Sequence, residues 1–216
     1  MTEADWLLCN DPLTLFAYLG IIRDRKARLF GVACVRRVMA CLLDERSRRA
    51  VEISERFADK RASRRILAAA RREAYSAFRA ADQIAAHASV VALNASARGS
   101  EAHTLTVGTA GCAVSLITHL QGDDVGLAER QAHVNLLRDV FGNPFRPVTF
   151  SPSWRTSTAV TLAAQMYESR DFGAMPILAD ALQDAGCDSA DVLDHCRGPG
   201  PHVRGCWVVD LVLGKE

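Results

Sequence analysis

Four residues near the C-terminus, Cys187, Cys196, His202 and Cys206, are of the types that hold a tetrahedral zinc ion, spaced C-x8-C-x5-H-x3-C with His195 as an extra donor. Such ligands must converge within about 2.0 to 2.3 Å of the metal, which requires turns and helix ends that aim each side chain separately. These positions qualify: Cys187 follows a helix end, Cys196 closes a short helix, and His202 and Cys206 flank the next element. The spacing is no common zinc-finger pattern, and no C-x2-C pair is present. The reading favoured over zinc is therefore packed thiols with a loop-fixing His202, since free cysteine is often buried simply as a small apolar group.

A second set is cationic. Lys60, Arg61, Arg64, Arg65, Arg71 and Arg72 form a basic segment with no acid until Glu73, a pattern that can bind the phosphates of nucleic acid. The alternative is a solvated helix face. Arg138, Asn143 and Arg146, around a proline-rich connection, are candidates for an anion pocket, although arginines commonly cap helix ends and tie down loops. Enzyme signatures are sparse: no Gly-x-Gly-x-x-Gly, Walker loop, His-Glu-x-x-His or Gly-x-Ser-x-Gly occurs. Glu129 and His133, one turn apart on an expected helix, read as a surface pair. His103 and His119 are too far apart around a helix to share a site.

The elements that must position these residues are helical. Six of the seven prolines fall after residue 143, so residues 13–143 contain no such breaker. Ala27, Phe30, Cys34, Val38 and Cys41 recur at three- and four-residue steps and predict a buried stripe. Asp44 or Ser47 starts the next helix, on which acid-first pairs such as Glu52 and Arg56 support an exposed face. A long alanine-rich helix is expected from Ser63 to Arg98, with a seam of Leu67, Ala70, Ala74 and Ala81 that lets a neighbour approach closely. Further helices are expected over 103–120 and from Gly122-Asp123-Asp124 to Phe141. Residues 142–154 hold three prolines and form an irregular connection, followed by helices near 153–169, 176–184 and 189–196. Residues 206–213 suit strand or helix and are assigned to a final helix because helices precede them.

Composition sets the class. The chain has 216 residues, 49% of them hydrophobic and 24% charged, which excludes a disordered chain and suffices for one or two packed domains. Its formal charge is +1, but residues 1–80 hold 17 basic and 10 acidic side chains whereas 81–216 hold 9 and 15. No stretch is apolar enough for a membrane span. Met1 to Asn10 carries Glu3 and Asp5 and no basic residue, unlike a secretory signal. The expected setting is the cytoplasm, where seven cysteines would be thiols or metal ligands and not disulfides.

Three blocks stand out: Met1-Thr-Glu-Ala-Asp-Trp-Leu7, Asp44-Glu-Arg-Ser-Arg-Arg-Ala50, and an ending that runs from Phe141-Gly-Asn-Pro-Phe-Arg-Pro147 through Pro176-Ile-Leu-Ala-Asp-Ala-Leu182 to His195-Cys-Arg-Gly-Pro-Gly-Pro-His-Val-Arg-Gly-Cys-Trp207. Together they resemble an expanded family of uncharacterised proteins from planctomycete bacteria. The alanine-rich middle matches only in composition, and Val35 stands where a second cysteine often follows the first, which counts against a metal site on Cys34. The resemblance implies a bacterial cytoplasmic setting and brings no activity, cofactor or catalytic residue.

The sequence thus predicts an all-α, multi-helix bundle of about eight helices. An N-terminal bundle (1–141) is joined through 142–154 to a smaller C-terminal helical part (155–216) packed on it, or the whole is a single domain 1–216. The expected role is protein interaction or scaffolding through a protein partner or self-association, with no cofactor assigned, structural zinc as the one candidate, and no assigned catalytic residue. Nucleic-acid binding through the basic 60–72 helix is the first alternative, and an enzyme of unassigned reaction the second.

Overall fold

A computed structural model describes residues 1–20, 24–80, 92, 95 and 101–215, with the backbone alone for 101–107. Among them the chain is all-helical. The described residues form eleven α-helices: α1 (Glu3–Leu8), α2 (Pro12–Tyr18), α3 (Asp24–Arg37), α4 (Glu45–Ala58), α5 (Arg64–Ala80), α6 (Glu101–Gln121), α7 (Asp123–Phe141), α8 (Ser157–Ser169), α9 (Met175–Asp184), α10 (Ala190–Arg197) and α11 (Trp207–Leu213). Short 3-10 turns occur at Met39–Cys41 and Pro152–Trp154.

The count exceeds the expected eight, partly because α1 and α2 are too short to show a periodic pattern. Local polar groups hold them instead. Asp11 caps α2 by accepting from the Leu13 and Thr14 amides, with Pro12 at the first helical position. The expected alanine-rich helix is described from Arg64 to Ala80; beyond Ala80 it lies outside the described residues, apart from 92 and 95. The ambiguous segment 206–213 is helical, and Gly214 ends it at φ +63°.

The chain divides into two compact units, residues 8–134 and residues 1–7 with 135–216, the division falling inside α7. In the unit of residues 8–134, α3 packs between α4 and α6, and α4 packs on α5. The alanine seam of α5 faces inward, with Leu67, Ala70, Ala74 and Ala77 buried. Arg28 is buried too; its guanidinium donates to Ser54 Oγ at 3.2 Å and lies over the Phe57 ring at 5.0 Å.

Glu129 and His133 do not form a surface pair. Glu129 is 7% exposed and His133 0%. Arg37, contributed by α3, donates from Nε and Nη2 to the two Glu129 oxygens, each at 2.9 Å, so the charge is matched inside the unit. His133 Nε2 stands 3.0 Å from Glu129 Oε1 at ion-pair distance, without the alignment of a hydrogen bond. Burial alone would raise the Glu129 carboxyl, but His133 and Arg37 outweigh it and hold it down at about 2.

The other unit is built on a core of Tyr167, Met175, Leu178, Leu182, Val192, Val208 and Val212, drawn from α8 to α11. Thr156 caps α8 by accepting from the Ala159 amide at 3.2 Å. Trp6 and Trp154 are buried, and Trp207 is half-buried.

Candidate metal centre

Asp139, His195, His202 and Cys206 converge, each offering one ligand atom, and these atoms all lie within 4.8 Å of one another. It is the one such group among the described residues. His202, Cys206 and the extra donor His195 are brought together, while Cys187 and Cys196 are outside the group. Asp139 is the member that reading from the cysteines missed.

Each residue reaches the group from a different element. Asp139 lies in the last turn of α7, which Gly142 terminates at φ +70° with its amide donating to the Arg138 carbonyl. His195 sits in the last turn of α10. Cys196 follows it by about 100° of helix rotation and so turns into the apolar core, where burial pushes its thiol up to about 12. Cys187 closes α9: its amide donates to the Leu182 carbonyl and the Gly186 amide to that of Gln183, the two bonds of a Schellman motif. Both thiols therefore belong to packing and to a helix end.

The turn from His202 to Cys206 is fixed by Arg204. Its Nε donates to the Tyr167 carbonyl at 2.6 Å and its Nη2 to the Glu168 carbonyl at 3.0 Å, with the guanidinium 5.2 Å from the centre of the Tyr167 ring. These bonds tie the turn to the C-terminal end of α8. Cys206 is the N-cap of α11, and Trp207 in the first turn places its ring 5.1 Å from that of His195.

The distances define the chemistry. His195 Nε2 lies 3.1 Å from Asp139 Oδ1 and 3.2 Å from Cys206 Sγ, so one nitrogen faces both the carboxylate and the thiol. A Cys–His–Asp relay for nucleophilic catalysis uses both ring nitrogens, one for each neighbour, and this geometry does not form it. His202 Nδ1 stands 2.9 Å from the same Asp139 Oδ1, and the two imidazole planes are inclined at 71°. Asp139 Oδ2 accepts from the Val203 amide at 3.0 Å, which orients the carboxylate with Oδ1 toward both histidines. Tetrahedral coordination at about 2.0–2.3 Å requires ligand atoms about 3.3–3.7 Å apart. Three of the spacings, 2.9, 3.1 and 3.2 Å, are slightly shorter than this and the others lie within 4.8 Å, so the group brackets the dimensions of a coordination sphere.

The group is well shielded: side-chain exposures are 2% for Asp139, 19% for His195 and 8% for His202, and Cys206 is fully buried. Burial would raise the Asp139 carboxyl, but His195 and His202 outweigh it and hold it below the ordinary carboxylate range. Burial, followed by the charge of Asp139, pushes the Cys206 thiol well above its ordinary value. His202 Nε2 is buried without a hydrogen-bond partner among the described residues. A cleft of about 350 Å³ runs alongside, walled by Asn135, Arg138, His195, His202 and the loop from Gly198 to Pro201.

Arg138, Asn143 and Arg146 line one concavity of about 270 Å³ together with Glu3 and Asp191. Several of their donors meet the chain's own acceptors. Arg138 Nη2 donates to the Trp6 and Leu7 carbonyls at 2.6 and 2.8 Å, Asn143 to Glu3 at 2.8 Å, and Arg146 pairs with Glu3 and Asp191. The basic segment is split. Lys60 and Arg61 lie in the connection after α4, Lys60 at φ 60°, whereas Arg64, Arg65, Arg71 and Arg72 are on α5.

All seven cysteines are free. No helix is long and apolar enough to cross a membrane, among the described residues. No protein-family model matches the chain, nor does any curated protein or solved structure.

Proposed function

We propose that residues 135–216 form a zinc-stapled helical module and that the protein acts in interaction or scaffolding. The observation that carries the zinc reading is the convergence of Asp139, His195, His202 and Cys206. One thiolate, two imidazoles and one carboxylate suit zinc, whose sites draw on all three donor types. Four protein ligands complete a tetrahedral sphere and leave no position for a reacting water, so the ion supplies folding free energy. It ties the end of α7 to α10, to the loop after it and to the cap of α11.

The interaction role rests on outward-facing apolar side chains, including Leu8 and Leu43 in one unit and Ile177 in the other, 77%, 79% and 57% exposed. Resemblance of the terminal blocks to the planctomycete family supports a bacterial cytoplasmic setting, whose reducing conditions keep Cys206 available as a ligand. Cobalt substitution tests the zinc reading. Co(II) added to metal-free protein should give the intense visible bands of a tetrahedral site and a thiolate charge-transfer band that disappears in Cys206→Ser. Weak octahedral bands, or a charge-transfer band retained in that variant, would contradict it.

A further inference from the structure

The outer face of α5 carries more positive charge than folding requires. At 100° per residue, Arg64, Arg65, Arg71, Arg72 and Arg79 fall within about 120° of the helix circumference, opposite the buried Leu67, Ala70, Ala74 and Ala77. Arg71 is half-buried and the other four are exposed. The helix's one acid, Glu73, lies about 80° outside this face. Among the described residues none of the five arginines is in an ion pair.

Elsewhere in residues 8–134 five arginines stand in ion pairs with acids. Arg25 pairs with Asp59, Arg36 with Glu55, Arg37 with Glu129, Arg46 with Asp44 and Arg48 with Glu45. Charge on a merely solvated face is usually interspersed in this way, with both signs present. The α5 face instead concentrates one sign over about 22 Å, the span of some six phosphates at the 3.4 Å spacing of a stacked strand.

A second observation concerns the residue these arginines surround. Tyr75 lies one turn from Arg71, Arg72 and Arg79 and is 51% exposed, with the Phe78 ring centre 6.1 Å from its own. An exposed aromatic ring among unpaired guanidiniums adds nothing to the core, but it is the surface on which an unpaired base stacks. A base inside a duplex has no free face to offer, so the ring selects single strands.

We infer that the outer face of α5 binds single-stranded nucleic acid, with Arg64, Arg65, Arg71, Arg72 and Arg79 on phosphates and Tyr75 stacked on a base. This site is independent of the metal centre, and Tyr75 and Arg79 extend the basic set visible in the sequence.

The test is fluorescence anisotropy of the full chain with a labelled oligo-uridine 20-mer, a duplex of equal length and the base-free polyanion heparin, titrated over salt concentration. Five phosphate contacts predict a slope of about −3.5 for log K against log salt on the single strand. Arg65→Ala and Arg72→Ala together should flatten it by about 1.4. Tyr75→Ala should weaken the single strand at least about fivefold while leaving the slope and heparin binding unchanged. All three side chains are exposed on α5, so the variants should keep the parent's melting curve, which circular dichroism checks. No binding to the oligo-uridine, tighter binding to the duplex, or a Tyr75→Ala effect equal on heparin and on the single strand would overturn the proposal.

Discussion

Replacing Glu129 by Gln keeps the side chain's shape and removes the charge that Arg37 and His133 face inside the unit of residues 8–134. The magnitude follows from the carboxyl being held at about 2 in the folded protein against an ordinary 4.5. That difference is worth about 3 kcal/mol at neutral pH, in line with the cost of breaking a buried ion pair. Because the folded value is depressed, this stability is fully present above pH 4.5 and is lost as pH falls toward 2. At pH 3 the carboxylate is still mostly ionised in the folded chain and mostly protonated in the unfolded one, leaving about 1 kcal/mol. Urea unfolding of parent and Glu129→Gln, followed by circular dichroism at pH 7, 5 and 3, should therefore show a gap that narrows with acid. Other carboxylates titrate alike in both proteins and cancel in the difference. A gap that stays constant from pH 7 to pH 3, or one below about 0.5 kcal/mol at pH 7, would refute the assignment of Glu129 as a buried, charge-matched anchor.

Two further perturbations address the unit of residues 135–216. Gly200 has φ +78°, and a Cβ there would lie 3.1 Å from the His202 amide nitrogen and 3.5 Å from its ring Cδ2. Gly200→Ala should cost about 1–3 kcal/mol and weaken zinc binding by displacing His202; unchanged zinc affinity in a calorimetric titration would contradict this. Thr156→Ala removes the N-cap of α8 and should cost about 1 kcal/mol in thermal unfolding, with Thr156→Ser recovering most of it. An equal loss in both variants would mean that packing of the methyl group, and not the cap, is what matters.

The long helices were legible because their apolar stripes repeat over several turns. The Asp44 cap of α4 and the glycine ends of α7, α9 and α11 were visible for the same local reason. Helices of six and seven residues give no such repeat, although Asp11-Pro12 was a readable start signal for α2. Glu129 looked superficial because its partner Arg37 is 92 residues away in sequence, and pairing over that distance leaves no local trace.

The candidate metal centre was half legible. His195, His202 and Cys206 cluster in twelve residues, so their types and turns pointed to the site. Cys187 and Cys196 were drawn in by sequence proximity, which a helix converts into different directions one residue later. Asp139 carried a signal of another kind, an acid beside the buried Leu136, Leu137 and Val140 on α7, where an unmatched carboxylate would be costly. Looking for acids inside apolar stripes would have found it.

The most direct test of the account is the zinc content of the chain purified without chelator or a metal-affinity tag, alongside Asp139→Asn, Cys206→Ser, Cys187→Ser and Cys196→Ser. One zinc per chain is predicted in the parent and in the Cys187 and Cys196 variants, with loss in the Asp139 and Cys206 variants. A parent that takes up no zinc, or one whose zinc depends on Cys187 and Cys196 but not on Asp139, would contradict it.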